Sequence, residues 1–343
     1  ITIKQTELDA KTADIDKKDA KGNFLPSLNA NASHSWNIGL NQDITTGLLR
    51  NQTNQFTSAS ANVGIDIYKG LQNQNNLRRA NLALVASKYQ LLKMQEDVAL
   101  NVANAFLQVL FNKENLKVQQ EQLLNNEKQL NRSIELVNAG SIPRGDMLDI
   151  KANLAQNRQN LVVAQNNLLI SKLSLAQLLQ IKEFENFDVI DAIRVTDEIA
   201  VLTQSPSAIV EKAKESRTDL KIAQTNLEIA QQNLAIAKGA FQPTIQGFYG
   251  FNTRISYADV ATISGGTLVT KPANPFWTQF SDNKGQSFGA QLSIPVFNGF
   301  SVKNNVERSK VNLEKSKIAL EQQNLDLQRT VYAAFTDAKG ALN

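Results

Sequence analysis

Apolar residues recur every seven positions over much of this chain. Leu77, Leu84, Leu91, Val98 and Ala105 form one seam, and Val102, Val109, Leu116, Leu123, Leu130 and Val137 carry a second onward. That spacing is the coiled-coil period, and it predicts a helix over 71–138. The pattern breaks at Gly140, Pro143 and Gly145, then resumes as Met147, Leu154, Leu161, Leu168 and Leu175. Two long helices folding back on one turn are expected. At 1.5 Å per residue the first would run roughly 100 Å, far longer than a helix of a compact domain.

Upstream the period changes from seven to two. Ser27, Asn29, Asn31, Ser33, Ser35 and Asn37 alternate with Leu28, Ala30, Ala32, Trp36 and Ile38, and only His34 spoils the apolar set. After a polar stretch from Asn41 to Gln55, Ser58, Ser60, Asn62, Gly64 and Asp66 alternate with Ala59, Ala61, Val63, Ile65 and Ile67. This predicts a β-hairpin with one apolar and one small-polar face. Strands of about 12 residues are long enough to cross a bilayer when tilted. Tyr68 and Gly70 close the hairpin, and His34 reads as a girdle or interface residue.

The chain then begins again. Ala237, Lys238, Gly239, Phe241 and Pro243 repeat Ala20, Lys21, Gly22, Phe24 and Pro26. Ile245, Gly247, Tyr249 and Phe251 alternate with Thr244, Gln246, Gly250 and Asn252, and Phe288, Ala290, Leu292, Ile294 and Val296 with Ser287, Gly289, Gln291 and Ser293. Val306, Leu313, Leu320, Leu327 and Ala334 match the first heptad seam. Two copies of one helix, hairpin and long-helix unit are expected. The first repeat spans 1–180: helix 1–22, hairpin 24–68, helix 71–138, tip 139–146 and helix 147–180. A linker of short strand or helix pieces covers 181–205, with Phe184, Phe187, Val189, Ile193 and Val195 packed outside the rods. The second repeat, 206–343, holds helix 207–239, hairpin 243–297 and helix 301–343, and stops short of its own tip. The chain also opens at Ile1 inside a helical pattern, which reads as a mature or truncated segment.

Composition narrows the function. The net charge of +4 is spread along helices rather than gathered, against a nucleic-acid footprint. With no cysteine and a single histidine, thiolate and multi-histidine metal sites are excluded, and no cofactor is expected. No apolar run is long enough for a transmembrane helix. Helices crowded with Asn and Gln have narrow apolar seams and wet faces, which suits a tube with solvent inside and out.

Four amphipathic strands cannot close a membrane barrel, since the smallest have about eight. Two chains would give eight strands and a filled interior, whereas three would give 12 and leave room for water. The small-polar set then faces a wet lumen: Ser27, Asn29, Asn31, Ser33, Ser58, Ser60, Asn62, Asp66, Gln246, Gln291 and Ser293. The apolar set faces lipid.

With the duplicated unit, the Gly-x-Phe-x-Pro run before each first strand (Gly22 to Pro26, Gly239 to Pro243), the glycine after each second strand, Arg217-Thr218-Asp219-Leu220 and the tip leading into Met147-Leu148, the chain resembles the TolC-like outer-membrane efflux proteins. The resemblance implies an α+β membrane protein of two structural repeats. Its long coiled-coil-like hairpins would form a periplasmic α-helical barrel, and four strands per chain would contribute to a 12-stranded transmembrane β-barrel of a homotrimer. It implies an exit duct for efflux or type I secretion in a Gram-negative outer membrane, carrying small molecules or proteins. The partners would be a periplasmic adaptor and an inner-membrane pump or ABC transporter. The tip Gly140, Ser141, Ile142, Pro143, Arg144, Gly145 and Asp146 would dock the adaptor through exposed side chains such as Ile142 and Arg144, and Asp146 matches the family aspartate that ties neighbouring helix pairs at the closed end. By the residues alone the tip is sufficient as a turn: glycine ends one helix, Pro143 opens the next, and Asp146 and Asp149 favour its N-terminus.

Two other classes remain. Arg144-Gly145-Asp146 spells an adhesion tripeptide, the alternative of a structural surface protein. An enzyme would need Glu183 with Glu185, or Asp146 with Asp149, in a pocket; no nucleophile, base and orienter set accompanies them, so no catalytic role is expected.

Overall fold

The structure is a computed structural model and describes residues 1–42, 47, 49–182, 185, 187–190, 204–265 and 267–342. In chain order the elements are α1 (Thr2–Gly22), β1 (Ser27–Gln42), β2 (Leu49–Lys69), α2 (Gln72–Asn138), α3 (Arg144–Leu178), α4 (Pro206–Ser216), α5 (Thr218–Gly239), β3 (Thr244–Ser256), β4 (Val260–Ser264), β5 (Thr267–Lys271), α6 (Phe276–Asp282), β6 (Gly285–Ser293) and α7 (Ser301–Leu342). The chain divides into two units, one holding Ile3–Gln90 with Pro206–Asn343 and the other Leu91–Ser205.

The first unit carries the sheet. β1, β2, β3 and β6 lie in that order, antiparallel throughout, so the two outer strands leave open edges. Strands and helices join at Gly70 and Leu71 (φ 55° and 59°) and at Gly299 and Phe300 (φ 59° and 63°). Two successive left-handed residues at each junction turn the chain sharply from strand into helix. That conformation costs a non-glycine residue about 1–2 kcal/mol, so glycine takes one of the two places. Beside the first junction the Tyr68 hydroxyl bonds to Gln242 Oε1, and Asn73 Nδ2 donates to the Asn23 carbonyl at 3.2 Å. α5 packs along α7, and Ala80, Ala230 and Ala237 are among the buried residues. Such small side chains allow close helix approach.

In the second unit the heptad seam is buried in part, together with Asn157, Ala164 and Ser171, a second row spaced by seven on α3. Leu154 and Leu175 of α3 are buried, and Val109 of α2 is fully so, packed with Leu175, Val189, Val102, Phe106, Leu168 and Phe187. The segment around Asp188 is pinned across both helices: Lys172 reaches its carboxylate at 3.0 Å, Lys113 at 3.9 Å, and Lys113 also donates to the Val189 carbonyl at 3.1 Å. The Lys172 hydrogen bond, then the Val189 N–H, hold the Asp188 carboxyl below its ordinary value. Its contribution to stability is therefore present above the unfolded-state value and fades as pH falls through the lowered folded one. Phe187 and Val189 pack on the Val109 and Leu175 cluster, but residues 187–190 are neither the strand nor the helix expected, while Phe184, Ile193, Val195 and Glu183 lie outside the described residues.

Several predicted boundaries change. β1 and β2 continue through the polar stretch, pairing out to Gln42 with Leu49. A ladder already in register extends through Asn, Gln and Thr because its bonds are between backbones. The hairpin predicted at 243–297 is interrupted: β4 and β5 form a second small hairpin around Gly265, and Pro275 caps α6. β6 starts at Gly285 and ends at Ser293, short of the Val296 expected, because Pro295 has no N–H for the ladder. The helix predicted over 207–239 breaks at Arg217, which is extended (φ −62°, ψ 124°) and pairs with Asp219 at 2.7 Å. Ser216 Oγ bonds back to the Lys212 carbonyl at 3.1 Å, finishing α4.

Candidate functional site

The register places every residue of the predicted lumen set on one face of the sheet, since directly paired residues share a face. Asn29, Asn62, Gly250 and Ser287 form one row, and Asn31, Ser60, Asn252 and Gly285 the next. Ser27 pairs with Gly64, Ser33 with Ser58, Asp66 with Gln246, Gln246 with Gln291, and Thr244 with Ser293. Contacts agree: the Ser33 and Ser58 hydroxyls are 2.8 Å apart, and a Cβ on Gly250 would sit 2.9 Å from Ser287 Oγ. Glycine there makes room for polar neighbours.

Three features of this face escaped the alternation pattern. Phe248 lies on it, its ring 3.0 Å from where a Gly289 Cβ would be, so an aromatic covers a glycine across the ladder. Phe56 lies on it too, beneath the Arg254 guanidinium at 3.8 Å, a cation–π pair. Asp66 is bonded to Lys69 at 2.8 Å rather than standing alone. A bulge between Asp66 and Tyr68 lets this happen by shifting the strand one residue.

The opposite face carries Leu28, Val63, Tyr249 and Phe288 in one row, with Leu292, Ala30, Ala61 and Phe251 on either side. Much of it is bare, Leu28 being 69% and Phe288 81% exposed, while Thr253 and Ile255 toward the far end of β3 are buried. His34 is on this face, 2.8 Å from Thr57 Oγ1, which in turn is 3.0 Å from the Tyr257 hydroxyl. Its ring meets Trp36 edge-on at 4.3 Å and Tyr257 at 5.6 Å. The histidine that breaks the apolar pattern is therefore partnered by an aromatic and hydroxyl cluster at the far end of the strands.

The tip belongs to the second unit. α2 ends with Gly140 at φ 73°, its N–H bonding to the Val137 carbonyl at 3.0 Å and that of Ser141 to Leu136 at 2.8 Å. This pair of bonds is a Schellman motif, with glycine in the left-handed position. Pro143 is extended and caps α3 rather than lying in its first turn, so Arg144, Gly145 and Asp146 are helical. Gly140, Ser141, Pro143, Arg144, Gly145 and Asp146 are exposed, but Ile142 is half-buried, against the expectation of a free side chain. Asp146 stands in the first turn, where the helix dipole favours a carboxylate. Among the described residues no group of three or more His, Cys, Asp or Glu side chains could hold a metal, and no helix is long and apolar enough to cross a membrane.

The sequence matches the family model described as outer membrane efflux protein over residues 3–179 and 209–343. No curated protein matches it. Among solved structures, it is similar to the outer membrane protein VceC of Vibrio cholerae, with a TM-score of 0.79 and 15% identity over 98% of this chain and 75% of that one. The Campylobacter jejuni CmeC outer membrane channel gives 0.72 and 15% over 97% and 65%, and the open state of the Neisseria gonorrhoeae MtrE outer membrane channel 0.67 and 17% over 100% and 69%. Identities this low establish the fold alone.

Proposed function

The chain belongs to the outer membrane efflux protein family, and from that premise we propose that three copies close their sheets into one 12-stranded barrel serving as an exit duct. The family is one of outer-membrane channels rather than enzymes, so the location and the efflux role come with it. Closure by three chains, the two repeats, the conducted substrates and the partners are our reading.

The observation that carries it is the two-faced sheet with open edges. β1 and β6 are antiparallel to each other, so either edge can receive the other from a neighbouring chain and continue the ladder. Ser, Asn, Gln and Gly then line a wet lumen, and the largely bare apolar face meets lipid, where its exposure costs nothing. Matching left-handed pairs at 70–71 and 299–300 support a duplicated unit. On this reading the chain is two repeats joined by 181–205. The lumen-facing set is rich in Ser, Asn, Gln and Gly, with Phe56, Phe248 and the charged Arg254, Asp66 and Lys69 among it, which fits a duct that excludes by size more than by chemistry. We assign the tip from Gly140 to Asp146 to docking on a periplasmic adaptor, which would couple the duct to an inner-membrane pump or secretion transporter. Asp146 would tie neighbouring helix pairs.

Mass measurement of the protein in detergent, followed by recording in planar bilayers, tests this. Three chains per particle and stepwise conductance are expected. A stable monomer that conducts nothing would overturn it.

A further inference from the structure

We propose that α6 is a membrane-surface anchor, its Trp277 seated in the interfacial layer of the lipid bilayer. This rests on the apolar face of the sheet facing lipid. α6 lies on that face: Thr253 Oγ1 donates to the Phe280 carbonyl at 3.1 Å, and the rings of Phe251 and Phe280 are 6.1 Å apart. The helix is also clamped to the edge of β3 beyond the end of β6. Gln279 accepts from the Ser256 N–H at 2.9 Å and donates to the Ser256 carbonyl at 2.8 Å, and Asn283 donates to the Arg254 carbonyl at 2.6 Å. Side-chain amides thus take the place of the missing strand, and a helix of seven residues, too short to persist alone, is held in one pose.

That pose leaves Trp277 75% exposed while Phe276 and Phe280 pack against it. An indole contributes little when left in water, but its apolar body and N–H suit the boundary of a bilayer. The level is right. Thr253 pairs with Ala59 and Ser256 with Phe56, beside the His34, Trp36 and Tyr257 cluster. From Thr57 back to Tyr68, near the other aromatic end of the strands, a rise of about 3.3 Å per residue at a tilt of about 40° gives a height of roughly 25–28 Å, matching the apolar band of a membrane barrel. α6 therefore sits at one rim of the band rather than at its middle.

The chain has two tryptophans, Trp36 and Trp277, so Trp36→Phe leaves Trp277 as the single reporter. The full-length assembled protein is reconstituted into phosphatidylcholine vesicles brominated either just below the headgroup or at the acyl tail. Trp277 emission should be blue-shifted and lose most of its intensity to the shallow bromine, with less loss to the deep one. Quenching by aqueous acrylamide without any by bromolipid would overturn the anchor, as would resistance to both, which would place the indole against a neighbouring chain. The converse variant, Trp277→Phe, reads the sheet itself through Trp36. If Trp36 is quenched by lipid and Trp277 is not, the anchor falls and the lipid-facing sheet stands. If neither is quenched, both fall.

Discussion

The backbones of Gly70 and Gly239 touch. A Cβ on either glycine would collide with the carbonyl oxygen of the other, and one on Gly239 would also lie 2.9 Å from Gln72 Cγ. Hydrogen alone fits between the end of α5 and the turn from β2 into α2, which is where the sheet is tied to its helices.

Gly239→Ala should therefore cost about 1–3 kcal/mol, the usual range for overpacking. Gly70→Ala should cost more, because Gly70 also has φ 55°. Gly22→Ala is the control, since nothing lies within 4 Å of its Cβ position. Thermal unfolding of the three variants in detergent checks the order, and equal midpoints would remove the close approach as a structural requirement.

Face assignment gives an asymmetric prediction. Val63→Arg should cost about 2–4 kcal/mol if lipid surrounds that face near mid-membrane, while Leu292→Arg, in the row of Ile245 and Tyr68 at the rim of the band, should cost only about 0–1 kcal/mol. Asn62→Arg and Gln291→Arg, one residue away, should fold normally and alter conductance instead. Folding titrations in lipid vesicles measure the first and planar bilayers the second.

The tip separates by mutation into shape and recognition. Gly140→Val forces a β-branched residue to φ 73° and should loosen the end of α2, read as faster amide exchange over 136–141. Arg144→Asp should leave the fold intact, because Arg144 is exposed in the first turn of α3, yet weaken crosslinking to an adaptor and export together. Wild-type export with unchanged crosslinking would leave the tip as a turn only.

How much of this was legible depended on how strictly a segment repeats. Leu154 and Leu175 are buried where the heptads put them, and the strand parity survives in the register from Ser27 to Ser293. The ends were less legible. Nothing apolar marks Asn51 to Gln55 as strand; hairpin pairing does. α6 and its grip on Ser256 depend on side-chain amides of Gln279 and Asn283, which carry no period. Phe248 and Phe56 on the polar face were hidden for the same reason, since each is tolerated by a particular neighbour, Gly289 or Arg254.

The central claim is that β1 of one chain pairs with β6 of the next. The chain has no cysteine, so one can be placed at Asn29, Asn31 or Ser33 and another at Ser287, Gly289 or Gln291 without background. Within a chain β2 and β3 stand between these strands, a gap of roughly 14 Å at the usual strand spacing, too wide for a disulfide. After oxidation in the membrane, at least one register should yield covalent species up to and including three chains on a non-reducing denaturing gel. Monomers at every register, or a ladder that stops at two chains, would contradict closure by three.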